Sequence, residues 1–287
     1  MEEPTPYIPR PCFLQGRSAT IFEATYEQQQ LLGEGGCGAV YAGFRRADNV
    51  PVAIKHMSGS PVKQTSVIQD GKKQRIPLEV ALLQKFQATD SGPSAVVALL
   101  DWFDLGEELI LVLERPVPCM DLFDYLSTWG SNIPERQAKV IAKQLLDALI
   151  EIESRGVFHR DIKLENILIE TGSDVPRVRI IDFGCGTFMK EGFYTAAAGT
   201  LEDLPPEVFL NSRYQGSQTS VWQLGVVLYA LVHGGLPFDE VQDVVHVNPG
   251  LSRSLSISCQ NFLKGCLSKD PETRSTLESL KGHPWLR

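Results

Sequence analysis

The sequence lacks several features that mark whole classes of protein. No apolar run approaches the length of a membrane span, and the acidic, proline-rich start MEEPTPYIPRPC does not have the form of a signal peptide. The six cysteines are scattered without a CxxC pair, which predicts reduced thiols and a cytoplasmic protein, with the nucleus as the alternative. Basic residues number 27 against 35 acidic ones, so the net charge of −8 disfavours nucleic-acid binding and favours basic partners. We therefore expect neither a nucleic-acid partner nor a membrane.

The 287 residues divide by composition into parts with different secondary structure. Residues 1–22 contain four prolines and no apolar period, which predicts a flexible tail. Residues 23–115 contain short β-prone runs such as AVYAGFRR and ELILVLE, with one helical stretch, PLEVALLQKF. After the proline-rich RPVP, residues 116–287 contain long helical runs, among them PERQAKVIAKQLLDALIEIESRG and SVWQLGVVLYALVHGG. The layout predicts an α+β fold, with a small β-rich part followed by a larger, mainly helical one.

The glycine-rich segment LLGEGGCGAVYAG is the first stretch that suggests chemistry. Gly33, Gly35 and Gly38 form G-x-G-x-x-G, a pattern that lets backbone amides approach phosphate groups closely. An ordinary glycine-rich hairpin turn explains the pattern equally well. In a dinucleotide-binding fold a helix begins at the third glycine and an acidic residue follows about 20 positions later. Here a strand-like run follows and Lys55 occupies that place, so we predict a hairpin over phosphates.

Lys55 lies in the apolar run VAIKH, where a charged side chain needs an explanation. The side chain either extends from the strand into solvent or is held by a carboxylate. Glu79, in the first turn of the helix PLEVALLQKF, is the natural partner. An ion pair between them would direct the ammonium group toward anionic oxygens. Glu79 also suits the N-terminal dipole of its own helix, and the two roles are compatible.

The segment FHRDIKLENILI places several polar side chains directly before an apolar strand. Asn166 and Asp182, the latter in IIDFGCG, offer oxygen ligands that suit Mg2+, which binds few protein ligands and keeps its waters. Asp161 would accept the proton of an attacking hydroxyl, and Lys163 would neutralise a transferring phosphoryl group. Each residue alone fits an Asx-turn or a surface loop better. The ordered set of glycine segment, lysine, glutamate, HRD and DFG nevertheless favours function.

Together these stretches resemble the eukaryotic protein kinases. The resemblance covers about Tyr26 to Trp285, and LERPVPCMDLFDYL, HRDIKLENILI and GHPW are similar to the Pim family of serine/threonine kinases. It implies a two-lobed kinase domain over about 26–287, with a small antiparallel β-sheet lobe with one main helix over 23–115 and a mainly helical lobe over 116–287. It also implies ATP and Mg2+ as cofactors. The residues that it places at ATP are Gly33, Glu34, Gly35, Gly36, Cys37, Gly38, Val40, Ala53, Lys55, Glu114, Pro116 and Leu168.

The segment that connects the two lobes affects how adenine is bound. Adenine normally meets one backbone carbonyl and one backbone N–H of this segment. Glu114 supplies the carbonyl, but Pro116 and Pro118 have no N–H to donate. We predict one adenine hydrogen bond instead of two, which costs about 0.5–1.5 kcal/mol of nucleotide affinity. The alternative is that the prolines only stiffen a linker.

The resemblance also implies protein substrates. Pim-like kinases phosphorylate serine or threonine in peptides with upstream arginine, and Asp121, Asp124 and Glu165 match acidic positions suited to bidentate arginine contacts. Helix capping by Asp121 and solvation of the other two carboxylates are the alternative. Thr200 belongs to the GT…PPE segment, which is a peptide-docking feature and disfavours a small-metabolite substrate. Family likeness predicts a monomer.

The activation segment departs from the Pim pattern. Alanines occupy positions 196–198, where Pim kinases have acidic residues, so Arg160 of HRD lacks an obvious anion. Phosphorylation of Thr195, or of Tyr194, would supply one; otherwise the segment is held less firmly and activity is low. We expect an active kinase, with a weakly active or inactive nucleotide-binding scaffold as the alternative. Glu207 of PPE is expected to form a buried ion pair with Arg274.

Two further departures concern the large lobe. Glu202 and Asp203 stand where kinases usually have uncharged or aromatic residues that shape the site just after the target serine. They predict either a preference for a basic residue there or weaker substrate docking. Ser220 stands where most kinases have an aspartate that braces the catalytic loop.

Overall fold

A computed structural model of the chain describes residues 18–58, 62–69, 71–87, 94–173 and 175–287. The helices in chain order are α1 (Ala19–Thr25), α2 (Leu78–Leu83), α3 (Leu122–Ser127), α4 (Glu135–Ser154), α5 (Pro206–Asn211), α6 (Gly216–His233), α7 (Val241–His246), α8 (Ile257–Cys266) and α9 (Leu277–Lys281). The strands are β1 (Tyr26–Gly35), β2 (Gly38–Arg45), β3 (Pro51–Ser58), β4 (Gln64–Gln69), β5 (Lys72–Pro77), β6 (Leu99–Asp104), β7 (Glu108–Glu114), β8 (Cys119–Asp121), β9 (Val157–Phe158), β10 (Ile167–Glu170), β11 (Arg177–Ile180) and β12 (Thr187–Phe188). Short 3-10 turns cover Gln84–Phe86, Leu164–Asn166, Leu201–Asp203 and Pro284–Leu286.

The described residues fall into two compact units. Residues up to 64 together with 98–115 form the first unit, and residues 65–97 together with 116–287 form the second. Residues 65–97 therefore group with the second unit, and the lobe ranges 23–115 and 116–287 stay a prediction. No described helix is long and apolar enough to cross a membrane.

The first unit contains an antiparallel sheet of five strands in the order β1-β2-β3-β7-β6. Val52 and Ile54 alternate to one face of β3 and pack in a core that includes Phe22 of α1. Residues 1–17 of the predicted flexible tail lie outside the described residues. The rest of that prediction is wrong, because a helix begins at Ala19. Burial of Phe22, whose ring lies 5.4 Å from that of Phe103, stabilises this helix against the sheet.

The second unit is built mainly on α4 and α6. The predicted helix α4 begins after Pro134 and ends before Gly156, whose φ of 71° is left-handed and suits glycine. The predicted apolar helix α6 is buried along almost its whole length. It stops at Gly234, where φ is 80° and a Cβ atom would overlap the carbonyl oxygen of Ser131. Both helix predictions are confirmed.

Small sheets complete the second unit. Strand β10 pairs antiparallel with β11 and β8, and β9 pairs with β12, so the segments on either side of HRD and before DFG are held by strands. The hairpin of β4 and β5 was not predicted. Its signal was the Asp-Gly dipeptide in QTSVIQDGKKQRIP, which marks a turn between β-prone runs. Gly71 in that dipeptide has a φ of 73°.

The predicted ion pair between Glu207 and Arg274 is confirmed. The Nη1 and Nη2 groups of Arg274 donate to Oε1 and Oε2 of Glu207 at 2.7 and 2.8 Å. The Arg274 Nε group also donates to the carbonyl of Ser268 at 3.0 Å. Because both side chains are buried, this bidentate contact ties α5 to the segment before α9.

Candidate active site

Lys55 lies in the middle of the first unit's sheet. It pairs with Val40 on β2 and with Leu111 on β7. Strand alternation places Lys55 and Ala53 on the face of β3 opposite to the core residue Ile54, and Val40 shares that face because directly paired residues project to the same side. Only 3% of Lys55 is exposed, so the alternative in which it extends into solvent is wrong. The structure therefore brings together three of the residues predicted at ATP.

The glycine segment is a β-hairpin, as predicted. Gly33, Glu34 and Gly35 on β1 pair with Val40, Ala39 and Gly38 on β2, and Gly36 and Cys37 form the turn. Gly38 is the position that requires glycine, because its φ is 119° and a Cβ atom would overlap the carbonyl oxygen of His56. At Gly33, Gly35 and Gly36 a Cβ atom would meet nothing within 4 Å. These three glycines thus leave bare backbone that a phosphate group can approach.

The remaining residues predicted around ATP lie at the ends of strands and helices. Glu79 is buried in the first turn of α2, in the second unit, and its ion pair with Lys55 stays a prediction. Glu114 ends β7, where its Oε2 atom accepts from the backbone N–H of Ala98 at 3.0 Å. Pro116 comes after Arg115 in the chain, and Leu168 on β10 is half-buried and pairs with Asp121.

Asp161 is the most strongly oriented carboxylate of the HRD segment. Its Oδ1 atom accepts from both the backbone N–H and the hydroxyl of Thr200, each at 2.9 Å. Its Oδ2 atom accepts from Nδ2 of Asn166 at 3.0 Å. Asp161 is 6% exposed, so these donors fix the carboxylate in one orientation. A carboxylate offers about four lone-pair sites, and three of those of Asp161 accept these hydrogen bonds.

Lys163 joins Asp161 and Thr200 in one network. Its Nζ atom donates to the Thr200 hydroxyl at 2.8 Å and lies 3.5 Å from Oδ2 of Asp161. Partial burial opposes the charge of Lys163, but the carboxylates of Asp161, Glu165 and Asp203 outweigh it and raise its pKa. The structure therefore brings Asp161, Lys163 and Thr200 together, as a protonated amine beside an oriented carboxylate.

The two predicted metal ligands are joined through the backbone. The N–H of Ile181 donates to the carbonyl of Asn166 at 3.0 Å, which holds DFG against the catalytic segment. Asp182 has a left-handed φ of 61°, and its Oδ1 atom accepts from the N–H of Gly184 at 3.1 Å. His159 supports this turn, since its Nε2 atom lies 3.0 Å from the carbonyl oxygen of Ile181.

The chemistry of these two residues suits Mg2+. Asn166 uses its Nδ2 group for both described side-chain hydrogen bonds, to the carbonyl and to the carboxylate of Asp161, so Oδ1 keeps its lone pairs for a metal. Asp182 adds a carboxylate, and two protein oxygens are enough for an ion that keeps several waters. In the described part of the chain, no group of three or more His, Cys, Asp or Glu residues is placed to hold a metal ion. Beside these two protein ligands, a bound Mg2+ would take its other ligands from water and phosphate oxygens.

Arg160 is held by backbone carbonyls. Its Nε and Nη2 groups donate to the carbonyl oxygens of Cys185 and Gly186 at 2.5 and 3.2 Å. Arg160 itself has a left-handed φ of 70° and is 8% exposed. The described side-chain hydrogen bonds of Arg160 thus go to backbone carbonyl groups just after DFG, and none of them goes to a negatively charged group. Thr195 is exposed, so its hydroxyl is accessible for phosphorylation.

Gln223 is a site residue that the sequence analysis missed. This fully buried residue of α6 donates from Nε2 to the carbonyl of Arg160 at 3.0 Å and accepts at Oε1 from the N–H of Ile162 at 3.3 Å. It therefore holds the peptide groups on both sides of Asp161. Ser220, one turn earlier in α6, makes no such hydrogen bond among the described residues. A polar amide within the apolar run VWQLGVVLYALV was the signal in the sequence.

The three acidic residues predicted to bind arginine lie within electrostatic reach of one another. Asp121 caps α3 by accepting at Oδ1 from the N–H of Asp124 at 2.7 Å, so the capping role is confirmed. Burial raises the pKa of Asp121, and the charges of Asp124 and Glu165 raise it further. Asp124 and Glu165 are exposed. The cluster therefore presents negative charge to solvent beside the catalytic segment.

Comparisons with known proteins agree with this arrangement. A protein kinase domain model matches residues 26–286. The chain is 38% identical over 269 residues to serine/threonine-protein kinase pim-2 of Danio rerio, a match that covers 92% of this chain and 86% of that protein. It is 36% identical over 277 residues to serine/threonine-protein kinase prk-2 of Caenorhabditis elegans, covering 94% of this chain and 60% of the relative.

A third relative is longer still. The chain is 33% identical over 282 residues to the PAS domain-containing serine/threonine-protein kinase of Mus musculus, covering 97% of this chain but 20% of that protein. The family model covers nearly the whole chain, and all three relatives are named as serine/threonine-protein kinases. The chain therefore belongs to the protein kinase family and is a serine/threonine protein kinase similar to the Pim kinases.

Proposed function

We propose that this kinase is catalytically active and transfers the γ-phosphate of Mg-ATP to serine or threonine hydroxyls in peptides with upstream basic residues. Protein kinases use ATP and usually Mg2+. The observation that carries the proposal is the network of Asp161, Lys163 and Thr200, in which an oriented carboxylate and an ammonium lie 3.5 Å apart. A scaffold without transfer has no need for such a pair.

The network has a defined chemical role at each atom. Asp161, oriented by Thr200 and Asn166, accepts a hydrogen bond from the substrate hydroxyl and takes its proton as the new P–O bond forms. Lys163 neutralises the developing charge on the transferred group, and its raised pKa keeps it protonated. Mg2+ at Asn166 and Asp182 would shield the phosphate oxygens from one another. Lys55, with Glu79 as its partner, and the glycine hairpin, Gly33–Gly38, would hold the phosphate tail.

The preference for basic peptides rests on charge. Asp121, Asp124 and Glu165 place three carboxylates within electrostatic reach of one another. The whole chain carries a net charge of −8, which steers basic peptides toward it at low ionic strength. Monomeric state, a cytoplasmic location and the effect of Thr195 phosphorylation stay predictions.

Transfer of radiolabelled phosphate tests this function. The wild-type chain with Mg-ATP should label a serine peptide with upstream arginines, and label the same peptide with alanines in their place at least about tenfold less efficiently. Asp161→Asn and Asp182→Asn are the matched controls, because each removes one carboxylate charge with almost no change in shape. Equal labelling by wild type and both variants would refute the roles assigned to Asp161 and Asp182, and nucleotide binding without any transfer would support the scaffold instead.

A further inference from the structure

A buried carboxyl group beside Lys163 lacks a partner among the described residues. Asp203 ends the 3-10 turn Leu201–Asp203 and is 6% exposed. Its backbone N–H donates to the carbonyl of Thr200 at 3.2 Å, but no described hydrogen bond or ion pair holds its side chain. Buried carboxyl groups are almost always paired, so this one requires an explanation.

The surroundings of Asp203 are mostly of the same charge. Burial, together with the carboxylates of Asp161, Glu165 and Glu202, raises the pKa of Asp203 to about 7. Lys163 is the cation that opposes them, and its ammonium already contacts Thr200 and Asp161. The carboxyl groups of Asp161, Glu165 and Asp203 thus share one ammonium, and this part of the unit carries surplus negative charge.

The cluster is open to the outside. Glu165 is exposed and Lys163 is half-buried, so Asp203 lies at the inner end of a group that reaches the surface. Among the described residues, the fully enclosed side-chain atoms without partners belong to Gln87, Gln218 and Trp222. Since Asp203 is not among them, its carboxyl oxygens keep some contact with the surface.

We propose that Asp203 and Glu165 form a subsite for a guanidinium or ammonium group of the substrate, close in sequence to the phosphoacceptor. The inference rests on the proposed function, because Asp161 marks where the phosphoacceptor hydroxyl lies. Thr200, which contacts Asp161, is on the same turn as Asp203. Because Thr200 ties this turn to Asp161, we expect the cation on a residue within about two positions of the phosphoacceptor. The positive charge of this substrate residue would neutralise the negative charge that Lys163 leaves unbalanced.

An arginine scan tests the subsite. The starting peptide carries one serine and a block of arginines that ends three residues before it, with alanine elsewhere. One more arginine is then placed two residues before, one before or one after the serine, and kcat/KM is measured for each peptide. In the wild type, one of these positions should raise kcat/KM by about tenfold or more over the starting peptide, as expected for a charge-assisted contact.

The variants assign that gain to particular carboxyl groups. Asp203→Asn keeps the shape of the side chain and should reduce the gain to about threefold or less, and Glu165→Gln should reduce it as well. Glu165 is exposed, so its variant folds even if the buried one does not. Glu202→Gln is the matched control, because it removes one exposed charge from the same turn and should keep the gain.

The outcomes separate this subsite from the proposed function. A gain that is unchanged in Asp203→Asn and Glu165→Gln, or lost equally in Glu202→Gln, overturns the subsite. Failure of the wild type to label the starting peptide overturns the proposed function, and the subsite with it. Labelling of the starting peptide with no gain at any scanned position overturns the subsite alone.

A second, independent observation concerns Gln223. Arg160 and Ile162, the two residues that flank Asp161, are both hydrogen-bonded to the amide of this one side chain, at 3.0 and 3.3 Å. Arg160 is also in the left-handed region, with a φ of 70°, which a residue with a long side chain adopts only under constraint. We infer that Gln223 is the positioning residue for Asp161. It braces the catalytic segment, which in most kinases is the role of an aspartate at the position of Ser220.

Kinetics distinguish positioning from simple stability. Under the proposed function, Gln223→Leu should lower kcat by about tenfold or more, while the KM for ATP and the number of nucleotide molecules bound per chain stay within about twofold. Gln223→Glu keeps the size but loses the N–H donor to Arg160, so it should lower kcat also. Gln218→Leu is the matched control on α6, because the Oε1 atom of Gln218 has no hydrogen-bond partner among the described residues.

Two results would refute the role of Gln223. One is an unchanged kcat in both variants at position 223. The other is a loss of kcat that matches a loss of nucleotide-binding molecules, which would show unfolding and no effect on Asp161. An equal loss in Gln218→Leu would likewise refute a role specific to the catalytic segment.

Discussion

Removing one charge from the buried pair of Glu207 and Arg274 should destabilise the second unit strongly. The two side chains are 5% and 0% exposed, and they meet through two hydrogen bonds of 2.7 and 2.8 Å. Arg274 also donates to the carbonyls of Ser268 and Gln218, each at 3.0 Å, so it cannot turn toward solvent without losing those bonds too. Glu207→Gln therefore leaves a guanidinium buried without its counter-charge. Such a change costs about 3–5 kcal/mol.

The expected shift in melting temperature follows from chain size. For a domain of this length, each kcal/mol lowers Tm by about 2 °C, so Glu207→Gln should lower Tm by about 6–10 °C. Differential scanning calorimetry measures the shift. Glu27→Gln is the control, because Glu27 pairs with Arg46 at 3.0 Å while both side chains are about half exposed. An exposed pair contributes about 1 kcal/mol or less, so this Tm should fall by about 2 °C at most.

A double variant checks the physical reason. Glu207→Leu with Arg274→Met removes both charges and leaves none buried alone, so it should be less destabilised than the sum of the two single variants. Equal Tm shifts for Glu207→Gln and Glu27→Gln would contradict the assigned burial. A double variant whose loss equals the sum of the single losses would contradict coupling between the two side chains.

Three other changes have directions set by the site. Lys55→Met should abolish phosphate transfer while the circular dichroism spectrum stays that of the folded chain, and unchanged turnover would exclude a phosphate contact for this buried lysine. Asp203 has its pKa raised to about 7 from an ordinary 3.8, so the folded chain holds a proton that the unfolded chain has lost, and stability falls as pH rises between these values. Asp203→Asn should therefore match the wild-type free energy of unfolding at pH 4 and exceed it at pH 8, by an amount on the order of a few kcal/mol; a difference independent of pH would contradict this. Ala198→Asp should raise the basal rate by supplying an anion to Arg160, whose described partners are carbonyls, and a peptide-kinase assay that shows no increase would indicate that those carbonyls are sufficient.

Local signals in the sequence were enough for the elements whose ends depend on neighbouring residues. The glycine hairpin at Gly33–Gly38, the capping of α3 by Asp121 and the start of α4 after Pro134 all depend on backbone preferences within a few residues. The order of motifs along the chain was also enough to assign the protein kinase family. The pairing of Glu207 with Arg274 was predicted only through the family resemblance, since 67 positions separate the two residues.

Other features depended on contacts that no local pattern contains. Helix α1 exists because Phe22 packs against Phe103, far along the chain, and the proline-rich composition before it gave no sign of this. Gln223 reaches Arg160 across 63 positions, and Asp203 comes within electrostatic reach of Glu165 and Lys163 only in the folded chain. The sequence alone determined which chemical groups this kinase carries and which short segments present them. The tertiary structure alone decided which buried polar groups face one another, because hydrogen bonds and charge interactions act over a few ångströms of space whatever the distance along the chain.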